Sequence, residues 1–164
     1  GGFFIQVPVE QLGMKIEPGQ IRLLHSFATS IREAVMKKTR IYYSGKPEAS
    51  DEVDVFYYQG VKSDQRTYTI LEILANSNQL CRSPCGTGTS ALMAMLHGKG
   101  FLKLEEEIKT RSFLGTEFLG CLLGEVDEGP YRAVIPQITA SAYITGFNQL
   151  VVKNKDPLGL GFIF

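Results

Sequence analysis

The run Arg82-Ser83-Pro84-Cys85-Gly86-Thr87-Gly88-Thr89-Ser90-Ala91 is where residue type and spacing speak most directly of chemistry. A cysteine stands immediately before a Gly-Thr-Gly-Thr turn, and the turn leads into an Ala/Met/Leu-rich segment of helical character. A helix N-terminus leaves its first N–H groups unpaired and carries partial positive charge. Such an end stabilises anions, a substrate carboxylate among them. It also favours thiolate over thiol, and the thiolate is the reactive form. One short run therefore offers an acid/base and an anion cradle.

Rival readings of these residues are weaker. Free cysteines are often buried and inert, but Pro84 before Cys85 and Gly86-Thr87-Gly88 after it make a core role awkward. Gly86 to Ala91 also fits the dinucleotide pattern G-x-G-x-x-A. That pattern needs a buried strand entering the turn and a βαβ context, and Ser83-Pro84 interrupts the entry. A phosphate-binding P-loop would need a Lys-Ser/Thr pair that the turn lacks. Cys81 and Cys85 form a Cys-x-x-x-Cys pair with no further ligands at suitable spacing, so no metal site is read here. A redox link between the two is a minor alternative. His25 and His97 are isolated, and His97 reads as a capping or hydrogen-bonded histidine. Cys121 reads as core, Glu105-Glu106-Glu107 as a solvated turn, and Arg82 as a salt-bridge partner before an anion ligand.

Elements must hold this run in place. Phe3 to Val9 is aromatic and β-branched and reads as a strand stopped by Pro8. From Gln20 to Lys38, Ile21, Leu24, Ala28, Ile31 and Val35 recur at helical spacing, with basic residues at the far end. Pro18-Gly19 and Gly45-Lys46-Pro47 are turns, with a short strand over Arg40 to Ser44. Val53 to Gln59 and Tyr68 to Leu74 read as strands. After the Cys85 run, Ser90 to Lys99 is apolar on nearly every face, as a buried helix is, and Gly98 and Gly100 end it. Ile108 to Leu114, Glu117 to Val126, Tyr131 to Ile135 and Ser141 to Val152 alternate or run apolar in strand fashion. The fold class is α+β: a curved mixed sheet, barrel-like, wrapped around a buried central helix.

Composition bounds the function. A chain of 164 residues with 44% apolar content suits one globular domain. Basic and acidic residues balance, 17 against 17, which argues against nucleic acid as a partner. Lys37, Lys38 and Arg40 read as a helix-dipole contact. No apolar run approaches the roughly 18 to 20 residues of a membrane span. Gly1 to Val9 has neither a basic n-region nor a cleavage site of the signal-peptide kind. Three cysteines make no disulfide framework, and a reducing cytoplasm fits them best.

Ser83-Pro84-Cys85-Gly86-Thr87-Gly88-Thr89-Ser90-Ala91 resembles the second cysteine motif of the proline racemase family, which includes proline racemases, 4-hydroxyproline epimerases and a 3-hydroxyproline dehydratase branch. Gly1-Gly2-Phe3-Phe4, Leu114 to Phe118, Ala142 to Phe147, Asp156-Pro157-Leu158 and Gly161-Phe162 resemble further family segments, in order, over nearly the whole chain. The resemblance implies a diaminopimelate-epimerase-like lobe over 1–145, with 146–164 crossing back to an absent N-terminal lobe. That lobe would carry a first motif of the Cys-Gly-His-Gly kind, which this chain lacks, so the chain is expected to be the C-terminal half of a longer enzyme.

The implied reaction is cofactor-independent inversion of the α-carbon of proline or 4-hydroxyproline by two cysteines, one of them Cys85. Its thiol would take or return the α-proton, and the N–H groups of Gly86 and Thr87 would bind the substrate carboxylate. Members usually carry Asp at position 81, against the substrate ammonium, and proline racemases tend to carry Phe at position 75. Cys81 and Ala75 depart from both, which puts strict proline specificity in doubt. The dehydratase branch typically has Thr where Cys85 stands, so racemase or epimerase is favoured. A homodimer is the expected assembly. The rival expectation is a non-catalytic, half-length anion-binding or interaction module of the same fold.

Overall fold

The computed structural model describes residues 2–42, 49–50, 52–75, 77–159 and 161. The elements, in order, are β1 (Phe3–Pro8), α1 (Ile21–Lys38), β2 (Ile41–Tyr42), β3 (Ala49–Ser50), β4 (Val53–Val61), β5 (Asp64–Ile73), α2 (Gly86–Gly98), β6 (Glu107–Ser112), β7 (Glu117–Glu128) and β8 (Tyr131–Ala140). Short 3-10 turns at Val9–Leu12 and Pro18–Gln20 carry the chain from β1 into α1.

Six strands form one mixed sheet in the order β1-β4-β5-β6-β7-β8. β1 runs parallel to β4 and β5 parallel to β6, while the other neighbours are antiparallel. Each parallel pair demands a crossover. The first crossover carries α1 and the second carries α2. β2 and β3 form a separate two-stranded ribbon.

Strand alternation then sorts side chains onto two faces. Val55 and Tyr57 of β4 with Leu71 and Ile73 of β5 meet Leu24 and Ala28 of α1, over Val9, Met14 and Ile16. The Tyr57 hydroxyl donates to the Leu24 carbonyl at 2.9 Å, which satisfies a phenol buried in that layer. On the opposite face, Phe56, Ile70, Ile108 and Leu122 pack with Leu92, Met93 and Leu96 of α2. The two edge strands, β1 and β8, both touch α2. The sheet therefore bends around this helix but stays open, because among the described residues β1 and β8 do not pair.

Several expectations are corrected. The Gly-Thr-Gly-Thr run opens the helix as expected, with α2 beginning at Gly86, and the helix ends at Gly98 where the sequence pattern carried it to Lys99. Gly100 does end it, at φ 76°, a conformation that costs glycine no Cβ clash. β5 and β8 are longer than their apolar cores suggested, because polar ends continue the ladder. Ser141 to Val152 is not a strand. It has no neighbouring strand to pair with, and Tyr143, Ile144, Phe147 and Leu150 stand exposed. Cys121 is half-buried and belongs to neither core cluster, since its strand neighbours Gly120 and Leu122 take the α2-facing positions. The acidic run is not simply a solvated turn: Glu106 pairs with Arg66 at 2.9 Å, and Glu107 begins β6. The turn at Gly45-Lys46-Pro47 lies outside the described residues, as do Tyr43 and Ser44 of the short strand.

Candidate functional site

Cys85 is the N-cap of α2. Its backbone sits at φ 59° and ψ 118°, a sparsely populated region for a residue with a Cβ. Neighbouring bonds hold it there. Its own N–H donates to Ser83 Oγ at 3.2 Å, and its carbonyl accepts from the Thr89 N–H at 2.9 Å. The Gly88 N–H donates to Sγ at 3.1 Å, and Thr87 Oγ1 lies 3.4 Å from Sγ. The sulfur thus replaces the oxygen that usually caps a helix.

Glycine at position 88 is a steric requirement. A Cβ there would lie 2.4 Å from Cε2 of Phe56, deep in the core. Buried Thr89 anchors the same turn, donating to the Pro84 carbonyl and meeting Thr110 Oγ1 of β6, each at 3.1 Å. Thr116, in the β6–β7 turn, donates its hydroxyl to the Arg82 carbonyl at 3.1 Å. Gly86 and Thr87 lie exposed at the first two helical positions, where helix geometry provides no acceptor for their N–H groups.

The structure brings Cys81, Cys85, Gly86 and Thr87 into one neighbourhood. Cys81 Sγ is 3.5 Å from Ser83 Oγ, and both Cys81 and Cys85 join the α2-facing core. All three cysteines are free thiols. Ala75 is half-buried at the edge, its N–H donating to Asp54 Oδ1 at 2.7 Å.

The residue that sequence reasoning missed is Glu72. It is 2% exposed on β5, and its backbone carbonyl accepts from the Cys81 N–H at 3.1 Å. It stands opposite Phe56 of β4, so its side chain faces α2. The signal was present: one acid inside the apolar run Ile70-Leu71-Glu72-Ile73.

Electrostatics correct the thiolate expectation. Burial, followed by the neighbouring Glu72 carboxyl, pushes the Cys85 thiol up to about 12. Thr87 and Gly88 pull the other way and are outweighed. Burial also raises Cys81. Glu72 itself is raised by burial, while the thiols of Cys85 and Cys81 hold it down and Asp54 adds to the rise. At neutral pH the Cys85 sulfur therefore carries its proton.

Arg82 does not fulfil its expected salt bridge: among the described residues its side chain has no ion-pair partner. It lines an open cleft with Ser83, Thr116, Phe118 and Tyr143. His97 is hydrogen-bonded as expected, through Nδ1 to the Leu102 carbonyl and Nε2 to Glu125, each at 2.8 Å. Among the described residues no cluster of His, Cys, Asp and Glu is arranged to hold a metal ion, and no helix is long and apolar enough to cross a membrane.

Comparison with known proteins identifies relatives of this chain by sequence and by fold. The sequence profile described as "Proline racemase" matches residues 1–163. A proline racemase of Clostridioides difficile is 40% identical over 163 residues, covering 99% of this chain and 48% of that protein. A 4-hydroxyproline 2-epimerase of Allorhizobium ampelinum is 32% identical over 164 residues, covering 99% of this chain and 46% of that protein. The chain thus spans about half the length of the curated relatives it matches. A crystal structure of a hydroxyproline epimerase from Agrobacterium vitis, with bound trans-4-hydroxy-L-proline, superposes with a TM-score of 0.81 at 30% identity. That superposition covers 100% of this chain and 46% of the epimerase. A profile match over residues 1–163, relatives at 40% and 32% identity and a shared fold assign this chain to the proline racemase family.

Proposed function

We propose that the protein containing this chain is a cofactor-independent racemase or epimerase that inverts the α-carbon of proline or 4-hydroxyproline. Cys85 is one of two acid/base cysteines, and a second lobe supplies the other. The observation that carries this reading is the Cys85 sulfur fixed at the mouth of α2, beside the exposed N–H groups of Gly86 and Thr87.

The α-proton of an amino acid is very weakly acidic, so the developing carbanion needs donors aimed at its carboxylate. The N–H groups of Gly86 and Thr87 are such donors, and the N-terminal dipole of α2 adds to them. Cys85, protonated at neutral pH, delivers a proton to one face of the carbanion while the opposite cysteine removes one from the other. In the reverse direction Cys85 must be the base. Displacement of its proton then needs the thiol lowered from its free state, which a bound cation near Glu72 would accomplish.

The site is one face of a two-faced cleft. The lobe is of the diaminopimelate-epimerase kind, its open sheet curving around α2. The segment 146–164 docks on the second lobe; Phe147 and Leu150, 93% and 92% exposed, are the side chains suited to it. Three unpaired cysteines suit a reducing cytoplasm.

The test is Cys85→Ser in the full-length protein, assayed by loss of optical rotation and by deuterium exchange at Cα. Inversion should disappear while a substrate analogue still binds. Undiminished inversion by Cys85→Ser would refute the assignment.

A further inference from the structure

Glu72 is a carboxyl buried to 2% exposure with a side-chain oxygen, Oε2, that has no hydrogen-bond partner. The Cys85 and Cys81 thiols act on the carboxyl, but burying it with Oε2 unpaired and without a cation is costly. Among the described residues no Lys, Arg or His pairs with it. The charged group that acts on it is Asp54, of the same sign. Packing alone gives no reason for an acid here, since its strand neighbours Ile70, Leu71 and Ile73 fill the same layers with apolar side chains.

Its position supplies a reason. The carboxyl lies against both thiols, Cys85 and Cys81. Phe56, directly across the ladder, packs under the first turn of α2 at Gly88. Glu72 therefore reaches the Cys85 thiol from β5, while the Gly86 and Thr87 N–H groups belong to the start of α2. An amino acid whose α-carbon faces Cys85 bears its ammonium and its carboxylate on that same carbon. With the carboxylate on the helix N-terminus, the ammonium must lie on another side of the thiol.

We propose that Glu72 is the anionic partner of the substrate's ammonium nitrogen in this protein, a function that Cys81 cannot serve. This rests on the racemase reading for the identity of the ligand. It assigns a specificity role: Glu72 selects ligands with a cationic nitrogen next to the reacting carbon. A bound ammonium would also offset the carboxylate charge beside Cys85 and so ease release of the thiol proton.

The experiment is calorimetric binding to the full-length protein, wild type and Glu72→Gln, with two probes. One is proline. The other is cyclopentanecarboxylate, which keeps the ring and the carboxylate and lacks the nitrogen. Wild type should favour proline by about tenfold or more, the scale of a hydrogen bond to a charged group. Glu72→Gln should lose that preference and keep its affinity for cyclopentanecarboxylate within about twofold, which also shows that the site remains folded. A variant that retains the preference, or that weakens both probes alike, overturns the proposal. Deuterium exchange at Cα separates it from the wider reading. Glu72-dependent binding of proline without exchange would overturn the racemase assignment and leave the cation site standing. Full exchange by Glu72→Gln with unchanged preference would overturn Glu72 alone.

Discussion

The ring of Phe56 occupies the space that a side chain at Gly88 would need, with Cε2 and Cδ2 at 2.4 and 2.6 Å from the position of a Cβ. The helix that carries the candidate acid/base is thus pressed directly onto the sheet through its third residue. Position 88 fixes how far the Cys85 sulfur stands from β4.

Gly88→Ala should therefore displace the first turn of α2 or the Phe56 ring. Overpacking of this kind costs about 1–3 kcal/mol, read as a fall in the denaturant midpoint. Phe56→Leu in the same chain should recover part of the loss. Full stability of Gly88→Ala would show that the turn yields freely.

Thr89→Val should destabilise by about 1–3 kcal/mol, because it removes the donor to the Pro84 carbonyl and leaves the buried Thr110 hydroxyl without that partner. The double variant Thr89→Val/Thr110→Val should be less damaged than the sum of the two single variants. Strict additivity in urea titrations would mean that the two hydroxyls act independently.

Alkylation of Cys85 by iodoacetamide should still accelerate above pH 9, because burial and Glu72 push its thiol up to about 12. Peptide mass spectrometry after timed quenching reads the rate for each cysteine. A plateau near pH 7 would show that the helix end prevails over burial in the free lobe.

Glu72 sets a pH dependence of stability. Its folded pKa is raised, so the native state holds the proton longer than the unfolded chain does. Stability from this group is greatest below the ordinary carboxylate range, near pH 4, and falls as pH rises through the folded value. Glu72→Gln should flatten that fall and be more stable than wild type at neutral pH. Parallel wild-type and variant melting curves across pH 4 to 8 would contradict this.

The isolated chain should self-associate through its exposed C-terminal apolar side chains. Phe147→Ser with Leu150→Ser should lower the apparent mass in light scattering without changing the thermal midpoint, since both side chains are exposed. Unchanged association would move the sticky surface elsewhere.

Much of this was legible in the residues themselves. The three-and-four spacing of Leu24 and Ala28 gives the buried stripe of α1. The cysteine before Gly-Thr-Gly-Thr marks the start of a helix, though not that its sulfur accepts from the Gly88 N–H. Ser141 to Val152 misled because apolar alternation is only half of a strand; the other half is a neighbour. Glu72 stayed hidden because an acid in a strand reads as facing water, and only the pairing with Phe56 shows which face it takes. The protonation of Cys85 was also out of reach, since burial depends on what the fold brings over the sulfur from distant strands.

Both the sulfur and the carbonyl of Cys85 are bonded into the helix that follows, at Gly88 and Thr89, and not into the loop that precedes it. That loop reaches Cys85 through Ser83, whose hydroxyl accepts from the Cys85 N–H and lies 3.5 Å from Cys81 Sγ. A change at position 81 is therefore relayed to the backbone at Cys85, while the sulfur itself keeps its bond to the helix: the loop can tilt the thiol without releasing it.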